Sequence, residues 1–145
     1  MGNRWRGSRE PFDHDDWDSG NDGVGYDQNA DYDPHIGIDV DAEMNDVNQS
    51  VFVRIPFRVS AADRKKSNFM VLHMKYDDGF VAYLNGTRIA SANAASNPAW
   101  NAGATGQHDD ASAVTWVSSA LGNHINKLKT GNNILALPGL KPGFG

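Results

Sequence analysis

Cysteine is absent from the 145 residues. That excludes a disulfide scaffold, a thiol nucleophile and a Cys-ligated zinc, and it leaves the compartment open. Long apolar runs are absent too. No stretch of even twelve apolar residues occurs, against the roughly 20 that cross a bilayer, so no membrane insertion is expected. The opening Met1-Gly2-Asn3-Arg4-Trp5-Arg6 has no apolar stretch, so no signal peptide is expected in this chain. A clustered basic footprint is lacking: Arg64-Lys65-Lys66 and Lys127-x-Lys129 are short runs in a chain of net charge −5. Nucleic acid is therefore not an expected partner. The five histidines (His14, His35, His73, His108, His124) do not pair at metal-ligand spacing, and no serine sits in a nucleophile elbow. No catalytic constellation stands out, and the chain reads as a non-enzyme.

What is present is turn chemistry. Glycine numbers 15, and Asn and Asp are abundant; long helices want few of these residues and turns want many. With 39% hydrophobic residues the composition is globular, and the length suits one domain over 1–145. The net charge hides an asymmetry. Residues 1–50 hold thirteen acidic and three basic side chains, a balance of −10, whereas residues 51–145 hold five acidic and ten basic ones, a balance of +5. The basic half reads as a solvated face.

Residues 7–50 are loop-like, with Trp17, Tyr26 and the Ile36–Val40 stretch expected to pin them to a core, and Gly23-Val24-Gly25-Tyr26 expected as a short strand. From residue 51 the period becomes two. Val51, Val53, Ile55 and Phe57 alternate with Phe52, Arg54, Pro56 and Arg58, as a strand does, and Pro56 places that strand at a sheet edge. Strands are expected over 69–76, 80–84, 87–91, 114–117 and 134–137, with helical turns near 60–68 and 121–128. Asn85-Gly86 between apolar runs predicts a tight hairpin. Asp77-Asp78-Gly79 predicts a second turn, making 69–76 and 80–84 antiparallel neighbours in a meander. The tail from Pro138 to Gly145 is expected to be irregular. Strands with long loops and little helix point to an all-β sandwich.

Tyr76-Asp77-Asp78-Gly79-Phe80-Val81-Ala82-Tyr83-Leu84-Asn85-Gly86, followed by Leu128-x-x-Gly131-x-Asn133-x-Leu135-Ala136, resembles the galactose-binding-like jelly-roll family. The likeness is greatest to modules of large secreted multidomain bacterial proteins, often beside lamin-tail or spore-coat-kinase-like domains. The sugar-binding domains of some β-glycosidases are similar in a looser way. Trp5-Arg6-Gly7, Trp17-x-x-Gly20-x-x-Gly23-Val24-Gly25-Tyr26 and Val53-Arg54-Ile55-Pro56-Phe57 fit the same pattern. The resemblance implies a jelly-roll β-sandwich, an extracellular or cell-surface location in a longer parent, and neighbouring domains of that parent as partners. It also implies a closing strand beyond Leu140, so the chain is expected to lack its final strand. Two functions follow as expectations: a non-catalytic carbohydrate-binding or adhesion module for a polysaccharide or glycan, or a structural spacer with no ligand of its own. The fold alone does not choose between them.

The candidate site residues lie in loops. Asp77 and Asp78 are candidate calcium ligands, since paired carboxylates suit a hard cation, and the same residues also read as a plain turn. The Asp-rich stretch Asp13 to Asp22 lacks calcium-loop spacing and reads as a solvated loop anchored by Trp17. Trp100, in the long loop after the hairpin, is the candidate platform for stacking on a sugar ring, with Asp109 and Asp110 as candidate hydroxyl acceptors. Trp17 and Trp116 are expected in the core. The loops 7–50 and 92–112 are expected to meet at one rim.

Overall fold

The computed structural model describes residues 3–7 and 13–142. The expectations that touch residues 8–12 and 143–145, including Glu10, Phe12 and the end of the tail, lie outside the described residues. The fold is all-β, with a few short helical turns, of which α1 (Asp41–Met44) is the first α-helical one. The main sheet has four antiparallel strands. β3 (Ser50–Val59) pairs with β8 (Gly131–Leu140), β8 pairs with β5 (Gly79–Leu84), and β5 pairs with β6 (Thr87–Ala92). β4 (Val71–Met74) and β7 (Val117–Ala120) form a separate antiparallel pair, and β1 (Gly23–Gly25) and β2 (Ile36–Asp39) a short parallel one.

Period-two sequence gives the main sheet two apolar faces. Phe80, Ala82 and Leu84 of β5, with Leu137 of β8, Ile89 of β6 and Leu121, form one core. Met70, Leu72 and Met74 pack on it, so the β4–β7 pair lies over this face as the second layer. Val81 and Tyr83 of β5, with Ile134 and Ala136 of β8, point the other way and enclose Trp5. Trp5 is only 2% exposed and meets Phe52 edge-on at 4.7 Å. Burying such a ring is worth about 2–3 kcal/mol. The N-terminal turn is therefore the cover of the second face. The guanidinium of Arg6 lies 4.2 Å from the centre of the Tyr83 ring.

Pro56 sits on β3, at the edge of the sheet, as its missing N–H requires. Asn85 and Gly86 both have positive φ, at 50° and 87°, the left-handed geometry a two-residue hairpin demands. Asn85 does a second job. Its amide nitrogen donates to Lys127 O and to Asn133 Oδ1, each at 2.8 Å, and its amide oxygen accepts the Ile134 N–H. Asn133, fully buried, accepts from Lys129 N and donates to Lys129 O and Gly131 O. The Asn-Gly hairpin and the Gly-x-Asn turn are thus one hydrogen-bonded unit, and Asn133 is buried because it stands in for missing ladder partners.

Three expectations need correction. β4 and β5 are not antiparallel neighbours; the chain crosses at Tyr76–Asp78 from one layer to the other, and β4 pairs with β7. Turn residues mark a reversal or a corner equally well, and only packing of the alternate apolar positions separates the two. The stretch Pro138–Leu140 is not irregular but continues β8 opposite Ser50–Phe52. Pro138 lacks an N–H, so the ladder to β5 skips it and resumes in the same register at Phe80↔Gly139. Trp116 is not in the core: it is 67% exposed, with Lys75 Nζ 5.1 Å from its ring centre. β7 begins three residues later than expected and is preceded by α3 (Asp110–Ala113). Trp17 is half-buried against the Trp5 face.

Candidate functional site

The register brings the start of β3, the start of β5, the end of β6 and the end of β8 to one end of the sheet. The long loop 93–110 leaves β6 there and folds back on the Tyr76–Asp78 corner. Asn93, at a φ of 46°, donates to Asp78 O at 2.7 Å, and its own carbonyl accepts from Thr105 N. Gly79 is required at this crossing, because a Cβ there would lie 2.7 Å from Asn93 O and 3.0 Å from Ala92 O.

Further along, the His108 ring stacks on Tyr76 with centres 4.2 Å apart and planes 11° from parallel. Its Nδ1 is 2.8 Å from Tyr76 O, and its backbone N–H donates to Asp78 Oδ1 at 3.1 Å. His108 is therefore half-buried and structural, not a plain surface residue as a lone loop histidine reads in sequence. Asp78 ties the loop to the corner, and Asp77 Oδ1 accepts the Asp78 N–H at 3.1 Å. These are the bonds of a turn. Calcium takes about six to eight oxygen ligands; of the two candidate ligands here, Asp77 and Asp78, each has one oxygen engaged. Among the described residues no group of three or more His, Asp or Glu side chains is placed to hold a metal.

Burial, then the neighbouring charges of Asp78 and Asp110, hold the Asp77 carboxyl above its ordinary range. Carboxylates of the same corner reach Tyr32, from the first long loop. Burial, with Asp77, Asp110, Asp27 and Asp31, pushes its phenol up to about 12. The Tyr32 hydroxyl is buried and has no hydrogen-bond partner among the described residues. The Tyr32 backbone N–H donates to Asp27, whose carboxyl is lowered chiefly by that bond. Hydrogen bonds and stacking thus join Asp77, Asp78, Tyr76 and His108, while Asp110 and Tyr32 feel this corner through charge. Asp109 is exposed at the start of α3, where its carbonyl accepts from Ser112 N and Ala113 N.

Trp100 stands on the other part of the same loop and is 68% exposed. Its neighbour Asn101 accepts from Gln49 N and Ser50 N at 2.8 and 3.2 Å, and Ser50 Oγ donates to Ala102 O. The chain on the C-terminal side of Trp100 is thereby pinned to the start of β3 while the indole faces water. No hydrogen bond or ring contact among the described residues joins Trp100 to Asp109 or Asp110. Among the points that pin the loop, the candidate platform lies beside Asn101 and the candidate carboxylates beside His108. Sequence reasoning gave no role to Asn93 or Asn101, for which the Asn-rich character of the loops was the only signal, and did not place Tyr32 or His108 at the Asp77–Asp78 corner.

The opposite end of the sheet is basic. α2 (Ala61–Lys66) is capped by Ser60, which accepts from Asp63 N, and carries Arg64, Lys65 and Lys66 in its last turn. Arg64 Nε reaches Leu128 O at 2.8 Å, tying α2 to the segment that bears Lys127 and Lys129. Arg58 faces Asn132 across the β3–β8 ladder.

A scan against models of known protein families finds no match to this chain, and a search of curated proteins finds no significant one.

Proposed function

We propose that this chain is a non-catalytic carbohydrate-binding or adhesion module, a jelly-roll of galactose-binding-like type working outside the cell within a longer protein. The observation that carries the reading is Trp100: a large indole held in water by a loop whose next residue is bonded to the sheet. Keeping such a ring exposed forgoes about 2–3 kcal/mol of burial. A flat, fixed π surface is what the C–H face of a pyranose stacks against. Asp109 and Asp110, exposed on the same loop, are acceptors for sugar hydroxyls. The loop 93–110 is bonded to this end of the sheet, and binding gathers in loops that strands hold.

The test is a neutral-glycan array with wild type and Trp100→Ala. Binding that falls about tenfold or more in the variant supports the reading, one lost stacking contact being worth roughly 1–2 kcal/mol. Binding that is unchanged removes the platform, and no binding at all leaves the spacer as the function. A calcium ion at Asp77 and Asp78 belongs to the same proposal, because a cation would relieve the repulsion among these carboxyls. Melting in millimolar calcium against chelator checks it: a rise of several degrees supports the ion, and no shift removes it.

A further inference from the structure

The outer face of the main sheet carries a cavity of about 450 Å³ beside β3 and β8. Arg54, Pro56 and Arg58 line it from alternate positions of β3, and Asn132 and Ile134 from β8. Its size suits one or two sugar rings. The Arg54 guanidinium is oriented from within: Nε donates to Trp5 O and Nη2 to Gly7 O, each at 3.1 Å. Arg58 is exposed, and its Nη1 donates to Asn132 Oδ1 at 3.2 Å. That single bond uses one of the five donors a guanidinium has. Pro56, exposed between the two arginines, and buried Ile134 supply apolar surface. Among the described residues the charge at this end of the sheet is mainly positive, with Arg58, Arg64, Lys65, Lys66, Lys127 and Lys129 against Asp63.

We propose that this cavity binds an anionic saccharide, its carboxylate or sulfate held by Arg58 beside Arg54 and its ring lying on Pro56. The inference rests on the carbohydrate-binding reading and names a substrate class and a second surface for it. A guanidinium meets a carboxylate or a sulfate in a bidentate fork, which a neutral sugar cannot reciprocate. Asn132 adds an amide for hydroxyls. Opposite charge at the far end of the sheet turns the acidic ligand toward this cavity.

The experiment is calorimetric titration of the full chain with tetragalacturonate, with a heparin tetrasaccharide, with fully methyl-esterified tetragalacturonate and with a thymidine oligonucleotide of matched charge. The proteins are wild type, Arg58→Gln, Arg58→Lys and Trp100→Ala. Arg58 is exposed on an edge strand, so its variants are expected to melt with wild type, which circular dichroism checks. The expected result is binding of at least one acidic tetrasaccharide that weakens about tenfold or more in Arg58→Gln, less in Arg58→Lys, and not in Trp100→Ala. The preferred probe separates carboxylate from sulfate. Equal binding of the methyl ester, or no loss in Arg58→Gln, overturns the proposal. Equal binding of the oligonucleotide overturns it in favour of a non-specific polyanion surface. If neither acidic probe binds while a neutral glycan binds through Trp100, this inference falls and the proposed function stands; if no glycan of either kind binds, both fall.

Discussion

At the acidic end of the sheet, long loops are tied down by side chains that reach across sequence. Asn101 holds the start of β3, Asn93 and Asp78 clasp each other's loops, and His108 stacks on Tyr76. At the basic end the connections are shorter, and one amide pair organises them. Asn85 and Asn133 bond to each other and to the backbone of 127–134. The difference lies in burial. Asn133 is fully buried, so its bonds form where water cannot compete. The carboxylates of the other end stay partly wet, and the charges of Asp78 and Asp110 help to raise the pKa of Asp77. Beside them the Tyr32 hydroxyl has no hydrogen-bond partner among the described residues. One end is organised by satisfied, buried neutral amides; the other is tied by bonds that leave its carboxylates partly exposed.

The contrast between the two ends breaks most severely at Asn133. Asn133→Ala strands the Lys129 N–H, Lys129 O and Gly131 O that it serves, and the expected loss is about 3 kcal/mol, read by denaturant unfolding. A loss under about 1 kcal/mol would show that the loop re-pairs with water, and the two ends would no longer differ in kind. Gly79→Ala strikes the acidic end. Its new Cβ meets backbone oxygens of Asn93 and Ala92, so the loop or the strand must shift. About 2 kcal/mol is expected, read by denaturant unfolding. Unchanged stability would mean that the crossing is slack.

The smallest effect has the opposite sign. The folded-state pKa of Asp77 is raised, so its charged form is the less favourable one in the native state. Above that pKa the charge costs stability; as pH falls through it toward the unfolded value near 4, the native state takes up the proton first and the cost is relieved. Asp77→Asn is therefore expected to stabilise the protein at neutral pH. The gain is under about 1 kcal/mol, since solvent screens an exposed group, and it shrinks on acidification. Melting curves at pH 7 and pH 4 check both the sign and the trend. A variant less stable than wild type at pH 7 would mean that the hydrogen bond from the Asp78 N–H to the Asp77 carboxylate outweighs the cost of burying the charge.

Local chemistry was legible wherever one or two residues decide the geometry. Pro56 marks an edge because it lacks a donor, and Asn85-Gly86 marks a hairpin because both residues accept positive φ. Alternation marks β3, β5 and β6, and the absence of long helical periods marks the all-β class. The rest depends on partners distant in sequence. Asp77-Asp78-Gly79 has the chemistry of a turn, but whether the chain reverses or changes layer there depends on Leu72 and Met74 packing against Phe80 and Leu137. Pro138 looks like the end of a strand until β3 pairs with it from the other side. Trp116 looks like core by type, yet it stands exposed beside Lys75, whereas Trp5 is buried on Val81 and Tyr83. The candidate site divides in the same way. Trp100 was legible as an exposed aromatic in a polar loop, while the meeting of Asp77 and Asp110 with Tyr32, and of Arg54 and Arg58 around one cavity, was settled only by the folded chain. Backbone preference acts within a few residues, whereas burial and charge act through space between segments that only the tertiary structure brings together.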